Sequence, residues 1–275
     1  MTTSYCSWVN IASTWNLIGI LMKQTQATTN DQTAWKFSLL TGQAVAVTGR
    51  SIAAVGPVRE ILARYPEHRR LDGGGRLLMP GLVNAHTHLE LSHLAHLSQH
   101  PAPPTFTGWI SRMLAERARV NADKRTILAA ARAVLAQQQA RGVVAIADIS
   151  NTGFTGELAS EFPGHFLCFK EYLGLRFDEV EGSLRNLETA GDEQLCTGHA
   201  PYSTHINMLQ TLKGRAGRLG QVFSLHVAEP AAENDLIRFG TGEIRDFLEQ
   251  RGFWDNSFRP TGSESKGSVS YLHQH

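Results

Sequence analysis

The sequence predicts an α/β fold in which helices cover a parallel sheet. Three observations carry this. From residue 77 onward, five short apolar runs alternate with longer stretches of helical period; the runs have the length of buried strands; and one after another they end in residues able to bind a metal or move a proton. The first two observations fit a doubly wound sheet and a (β/α) barrel equally. The third favours the barrel, whose catalytic side chains project from the C-terminal ends of several strands.

The composition bounds what such a fold does. Of 275 residues, 42% are hydrophobic and 19% charged, the balance of a folded soluble chain. Lys and Arg number 26 against 25 Asp and Glu, so the net charge of +1 supplies no field to gather nucleic acid or anionic lipid. Neither nucleic acid nor membrane is expected as a partner. Cys6, Cys168 and Cys196 are odd in number and form no Cys-x-x-Cys pair, which argues against disulfides and points to a reducing, cytoplasmic compartment.

Residues 1–34 are expected to be a disordered or loosely docked arm. The apolar run 8–22 is broken by Asn10, Ser13, Thr14 and Asn16 and is too short to span a bilayer, no basic residue precedes it, and residues 24–33 are polar. Residues 35–76 follow as a small β domain, with strands at 37–40, 44–47 and 52–55 and a helix at 58–65. Three strands make a thin core, so this sheet should pack on something else. Residues 77–275 are the barrel-like part. Its strands are expected at 82–85, 143–148, 166–172, 195–198 and 222–226, and its helices at 107–141, 178–190, 205–219 and 232–251. Within the first of these, the helix at 124–141 is the clearest, with Ile127, Leu128, Ala131, Val134 and Leu135 on one face.

Twelve histidines are present, and His86, His88, His93, His96 and His100 lie within fifteen residues. The first strand ends His86-Thr87-His88, and in extended chain these two imidazoles point the same way, within reach of one metal. Glu90 follows at the same parity. The second strand ends at Asp148, expected at a turn or supporting a ligand, and the third carries Lys170 and Glu171. His199 ends the fourth and His226 the fifth, where Glu229 follows as a proton donor. His93, His96 and His100 are expected to cap or line a loop.

Pro80-Gly81-Leu82-Val83-Asn84-Ala85-His86-Thr87-His88 resembles the first-strand signature of the amidohydrolase superfamily. Gly198-His199-Ala200-Pro201-Tyr202-Ser203 and His226-Val227-Ala228-Glu229 resemble its deaminase and chlorohydrolase branch. The resemblance implies a partial (β/α)8 barrel, about five of eight units, with an incomplete N-terminal β-sandwich. It implies His86, His88 and His226 as ligands of one divalent metal, zinc or alternatively iron. It makes Glu229 the catalytic acid/base and His199 a substrate-binding group, with Glu90 a candidate second contact. The expected activity is hydrolysis of carbon–nitrogen bonds other than peptide bonds in a small molecule, by deamination of a purine or nucleoside-like compound. Chlorohydrolase or cyclic amidase chemistry at the same site is the alternative, and a homo-oligomer is compatible with the family. The family pattern also has a His at the sixth strand end and an Asp at the eighth. No counterpart of either is identified here, so these 275 residues by themselves are expected to be catalytically silent and poorly stable.

Overall fold

The computed structural model describes residues 25–29, 32–36, 41–262 and 267–274. They fall into two compact units that divide between Leu82 and Val83. The expected strand at 37–40 and most of the expected arm lie outside the described residues.

In the first unit, β1 (Thr25–Thr29) pairs antiparallel with β2 (Gln32–Lys36), and β3 (Gln43–Thr48) with β4 (Ser51–Pro57). The polar stretch expected in a disordered or loosely docked arm contributes β1, and its β-branched threonines suit extended backbone. The two-residue turn between β3 and β4 opens on Gly49 at φ +61°, which a side chain would resist. Helix α1 (Val58–Arg64) follows directly and buries Ile61.

The second unit is built on a four-stranded sheet in the order β5 (Leu82–Thr87), β6 (Val143–Ser150), β7 (His165–Tyr172), β8 (Leu195–Gly198). The pairs β6–β7 and β7–β8 are parallel. A doubly wound sheet reverses its strand order at a switch point. Here the order is sequential throughout, as in a barrel wall, and no closed barrel forms among the described residues.

Two of the expected long helices are divided. The one at 107–141 becomes α2 (Phe106–Val120) and α3 (Lys124–Ala140), because Asn121 adopts a left-handed φ of 42° and Asp123 caps the next helix by accepting from Thr126 N at 2.8 Å. Helices α4 (Phe177–Glu188) and α5 (Ile206–Leu219) lie close to their expected spans. The stretch 232–251 becomes α6 (Ala231–Phe239) and α7 (Glu243–Gln250), interrupted at Gly240 and Gly242, both of positive φ. A last helix, α8, spans Ser268–Gln274. Two 3-10 stretches, Leu89–Gln99 and Phe154–Glu161, follow β5 and β6.

The expected fifth strand at 222–226 is not one. Its apolar pattern holds, since Val222 packs on Ala147, Ile149 and Phe169. Among the described residues, however, its backbone meets the end of β8 through a single bond, His226 N to His199 O at 2.9 Å, and a ladder needs repeated bonds.

Strand alternation separates the two faces of the sheet. Ile146 of β6 packs with Leu89, Ala131, Leu135, Leu158 and Phe162 under the helical layer, while Ala147 and Ile149 meet Phe169 on the opposite face. Glu171 falls in phase with Leu167 and Phe169, on that opposite face.

Candidate active site

The strand-end histidines come together. His86 and His88 leave the end of β5 two residues apart, and their Nε2 atoms are 3.2 Å from each other. His226 Nε2 lies 3.3 Å from His88 Nε2, brought there by the bond from its backbone N–H to the carbonyl of His199 at the end of β8. Four ligand atoms set tetrahedrally around zinc at about 2.0 to 2.1 Å stand about 3.3 Å apart, so these imidazoles are spaced as a metal requires.

Electrostatics keep the rings neutral, the form that binds metal. Burial, followed by the proximity of His226 and His86, pushes His88 down to about 4. Burial is also the largest cause for His199, pushed down to about 3, with the three neighbouring imidazoles adding to it. His86 and His226 are lowered by burial too, and the Glu229 carboxylate opposes the change in both.

Two carboxylates flank His226 on opposite sides of its ring. Glu229 Oε2 is 3.8 Å from Nδ1 and accepts a hydrogen bond from the Tyr202 hydroxyl at 2.7 Å. Burial and this carboxylate raise Tyr202 far above the usual phenol range, so it stays a donor. Between His226 and Glu229, Ala228 holds a left-handed φ of 56°, and Glu229 N donates to Glu233 Oε2 at 2.8 Å. Glu171 Oε1 is 3.8 Å from Nε2, on the other side. Burial pushes Glu171 up to about 7.

His199, expected at the substrate, sits with its ring 4.6 Å from that of His226 and its Nδ1 2.6 Å from Ser203 Oγ. It also offers a ring nitrogen within 4.8 Å of donor atoms of Glu171 and His226. Glu90, expected to touch substrate, is instead 2% exposed, and both its oxygens are taken. Asn151 N donates to Oε1 at 3.0 Å, while Ser150 Oγ, Thr152 N and Thr152 Oγ1 donate to Oε2 at 2.8, 3.0 and 2.7 Å. A side chain at the parity of His88 therefore turned inward, because a turn with four donors lay beneath it. Asp148 is likewise buried, accepting from Leu89 N at 2.7 Å and from the Thr155 hydroxyl. His93 Nδ1 bonds the Glu90 carbonyl and His96 Nε2 the Glu116 carboxylate, both lining the first 3-10 stretch.

Sequence reasoning named Glu171 among the strand-end acids without giving it a particular role, and gave Tyr202 none, although both stand in the strand-end segments. The available signal for Glu171 was its phase: two residues beyond Phe169 in a buried strand, an acid shares the apolar face.

No family model matches the chain. Curated relatives do. An adenosine deaminase of Helicobacter pylori is 24% identical over 211 residues, 74% of this chain and 50% of the relative. A 5-methylthioadenosine/S-adenosylhomocysteine deaminase of Syntrophobacter fumaroxidans is 30% identical over 231 residues, 75% of this chain and 49% of the relative. The chain thus spans about half the length of the curated relatives it matches. Among solved structures, Helicobacter pylori aminofutalosine deaminase in complex with methylthio-coformycin superposes with a TM-score of 0.64 at 22% identity, covering 86% of this chain and 57% of that one. A zinc-bound adenosine deaminase from Xanthomonas campestris gives 0.57 at 20%, covering 78% and 51%. A zinc-complexed atrazine chlorohydrolase from Arthrobacter aurescens gives 0.55 at 19%, covering 82% and 56%.

The sequential parallel sheet and its structural neighbours define part of a (β/α) barrel. Together with the sequence relatives, they bear out the resemblance carried by the three motifs, to the deaminase and chlorohydrolase branch of the amidohydrolase superfamily.

Proposed function

We propose that these residues form a metal-dependent hydrolytic site for carbon–nitrogen bonds other than peptide bonds, deaminating a purine or nucleoside-like small molecule. The observation that carries this reading is the convergence of His86, His88 and His226 through nitrogens 3.2 and 3.3 Å apart, with a carboxylate at the far nitrogen of His226. The donor set fits zinc, with iron the alternative. When bound by the three imidazoles, such a metal supplies the Lewis acidity that makes water a nucleophile near neutral pH.

The protein's own groups supply the rest. Glu229 is 37% exposed and tethered by one hydroxyl, so it can exchange a proton with a ring nitrogen of the substrate. Tyr202 holds that carboxylate toward the cluster. His199, with Nδ1 on Ser203, keeps its other nitrogen for a polar substrate atom. Glu90, with both oxygens bonded to residues 150–152, fixes that turn.

The test is ammonia release from adenosine, 5′-methylthioadenosine and aminofutalosine by zinc-loaded protein. It is run on these 275 residues and, where the reading frame continues past His275, on the extended form. Release that Glu229→Gln depresses by about 10² to 10⁴, with zinc content intact, supports the reading. Zinc-bound protein that frees chloride from a chlorinated triazine and no ammonia from any nucleoside turns it to the chlorohydrolase alternative.

A further inference from the structure

A neutral imidazole can meet a substrate in two opposite ways. With its proton on Nε2 it donates there, and with its proton on Nδ1 it accepts there. For His199 the choice lies with the hydroxyl of Ser203, which stands 2.6 Å from Nδ1.

Two observations give that bond its direction. The serine hydroxyl has one proton, and its alternative acceptor is the Ala200 carbonyl at 3.3 Å. That oxygen already accepts the backbone N–H groups of Ser203 and Thr204 at 3.1 and 2.9 Å, one for each of its lone pairs. The bond length agrees. Bonds donated by N–H centre at about 2.9 to 3.0 Å, whereas a hydroxyl donates over shorter distances, and 2.6 Å belongs with the hydroxyl. The backbone that carries the serine is fixed as well, because its carbonyl accepts from Gly174 N at 3.0 Å and its N–H is held by Ala200.

We propose that Ser203 is a positioning residue that donates to His199 Nδ1, keeps the imidazole proton on Nε2, and so makes that nitrogen a donor toward substrate. The proposal rests on the reading of His199 as a substrate contact and adds its polarity. It has two consequences. Donor atoms of Glu171 and His226 lie within 4.8 Å of a His199 nitrogen, yet this ring has no lone pair for a metal, since Nδ1 spends its own on the serine and Nε2 carries the proton. His199 thereby stays apart from the cluster of His86, His88 and His226. The substrate atom it meets must also carry a lone pair, as an unprotonated ring nitrogen, a hydroxyl oxygen or a carbonyl oxygen does. An N–H group at the same place would face a second donor and leave both unpaired.

The test is the two-bond nitrogen–proton spectrum of the histidine rings in the metal-free full chain at about pH 8, where an ordinary imidazole is neutral, with His199 assigned through its own side-chain carbons. A proton on Nε2 and a bare, hydrogen-bonded Nδ1 are expected. A proton on Nδ1 overturns the proposal, and this measurement needs no variant. Ser203→Ala is expected to turn the single form into a mixture, moving the ratio of the two by about fivefold, the worth of one ordinary hydrogen bond, and Ser203→Thr is expected to restore it. A ratio that Ser203→Ala leaves unmoved overturns the role of the serine. On zinc addition the Nε2 proton is expected to stay, and its displacement would make His199 a metal ligand and overturn the proposal. A chain that takes up no zinc counts against the metal-site reading alone, since the ring spectrum of the metal-free chain still decides this one. Adenosine, whose ring nitrogens offer lone pairs, is expected to move the Nε2 proton signal downfield. A signal that adenosine leaves unmoved overturns the presentation of that proton to substrate.

Discussion

Among the carboxylates buried in the second unit, those on the two faces of the sheet are treated in opposite ways. Behind β6, under the helical layer, Asp148 and Glu90 have all their oxygens engaged by backbone amides and hydroxyls. On the other face, at the end of β7, Glu171 has one oxygen held and one left bare. Burial opposes ionisation in every case. For Glu90 the hydrogen bonds from residues 150–152 outweigh it and the pKa is lowered, whereas for Glu171 burial dominates and pushes it up to about 7. Depth alone therefore does not set the protonation of a buried carboxylate; the number of donors aimed at it also counts.

The sharpest break of this contrast is the largest expected effect. Glu90→Leu removes an acceptor from four donors at once, among them two backbone N–H groups of the turn. The loss on unfolding in urea should be about 3 to 5 kcal/mol, the cost of breaking a buried charged network from one side. A loss under about 1 kcal/mol would mean that water replaces the carboxylate and that the turn is not held by it.

Asp148 gives a pH signature. Burial pushes it up to about 6 from the ordinary 3.8. The native state then holds the proton where the unfolded chain has released it, so stability falls as pH rises from about 4 to about 6. The fall attributable to this residue is about 3 kcal/mol, from a shift of about two units. Asp148→Asn should flatten that part of the stability curve. An unchanged slope between those pH values would assign the dependence elsewhere.

How much of this was legible beforehand follows from the physics of each residue. His-Thr-His could be read because strand parity is local: residues two apart point the same way wherever the strand lies. The helix from Lys124 was legible in its own apolar face, and the structure adds the local reason for its start, a left-handed Asn121 followed by Asp123 as N-cap. Glu90 could not be read. Its fate depends on the turn at residues 150–152, some sixty positions away, and no pattern near Glu90 announces those donors. The segment 222–226 was misjudged as a strand for a related reason. Apolar alternation reports burial, whereas a ladder depends on neighbours that alternation does not report.

Glu171→Gln should then contrast with Glu90→Leu. With metal removed by a chelator, the change in unfolding free energy is expected to stay within about 1 kcal/mol, because the substitution keeps the oxygen that Asn151 can bind and removes a charge whose other oxygen gains nothing. A loss as large as that of Glu90→Leu would erase the distinction between the two regions.

The smallest expected effect lies in the backbone. Ala228 and Asn121 both hold left-handed conformations, at φ 56° and 42°. Asn121 does so at a helix end, where that conformation is customary and a short polar side chain tolerates it. Ala228 has no such excuse. Its Cβ meets the following carbonyl at a cost of about 1 to 2 kcal/mol, sustained by the bonds on either side, His226 N to His199 O and Glu229 N to Glu233 Oε2. Ala228→Gly removes that cost but adds about 0.5 to 1 kcal/mol of unfolded-state freedom. The net gain in a thermal melt should therefore be small, up to about 1 kcal/mol, and Asn121→Gly should gain less. If Ala228→Gly destabilises the chain, the turn between His226 and Glu229 is not strained, and the placing of Glu229 beside His226 Nδ1 owes nothing to stored backbone energy.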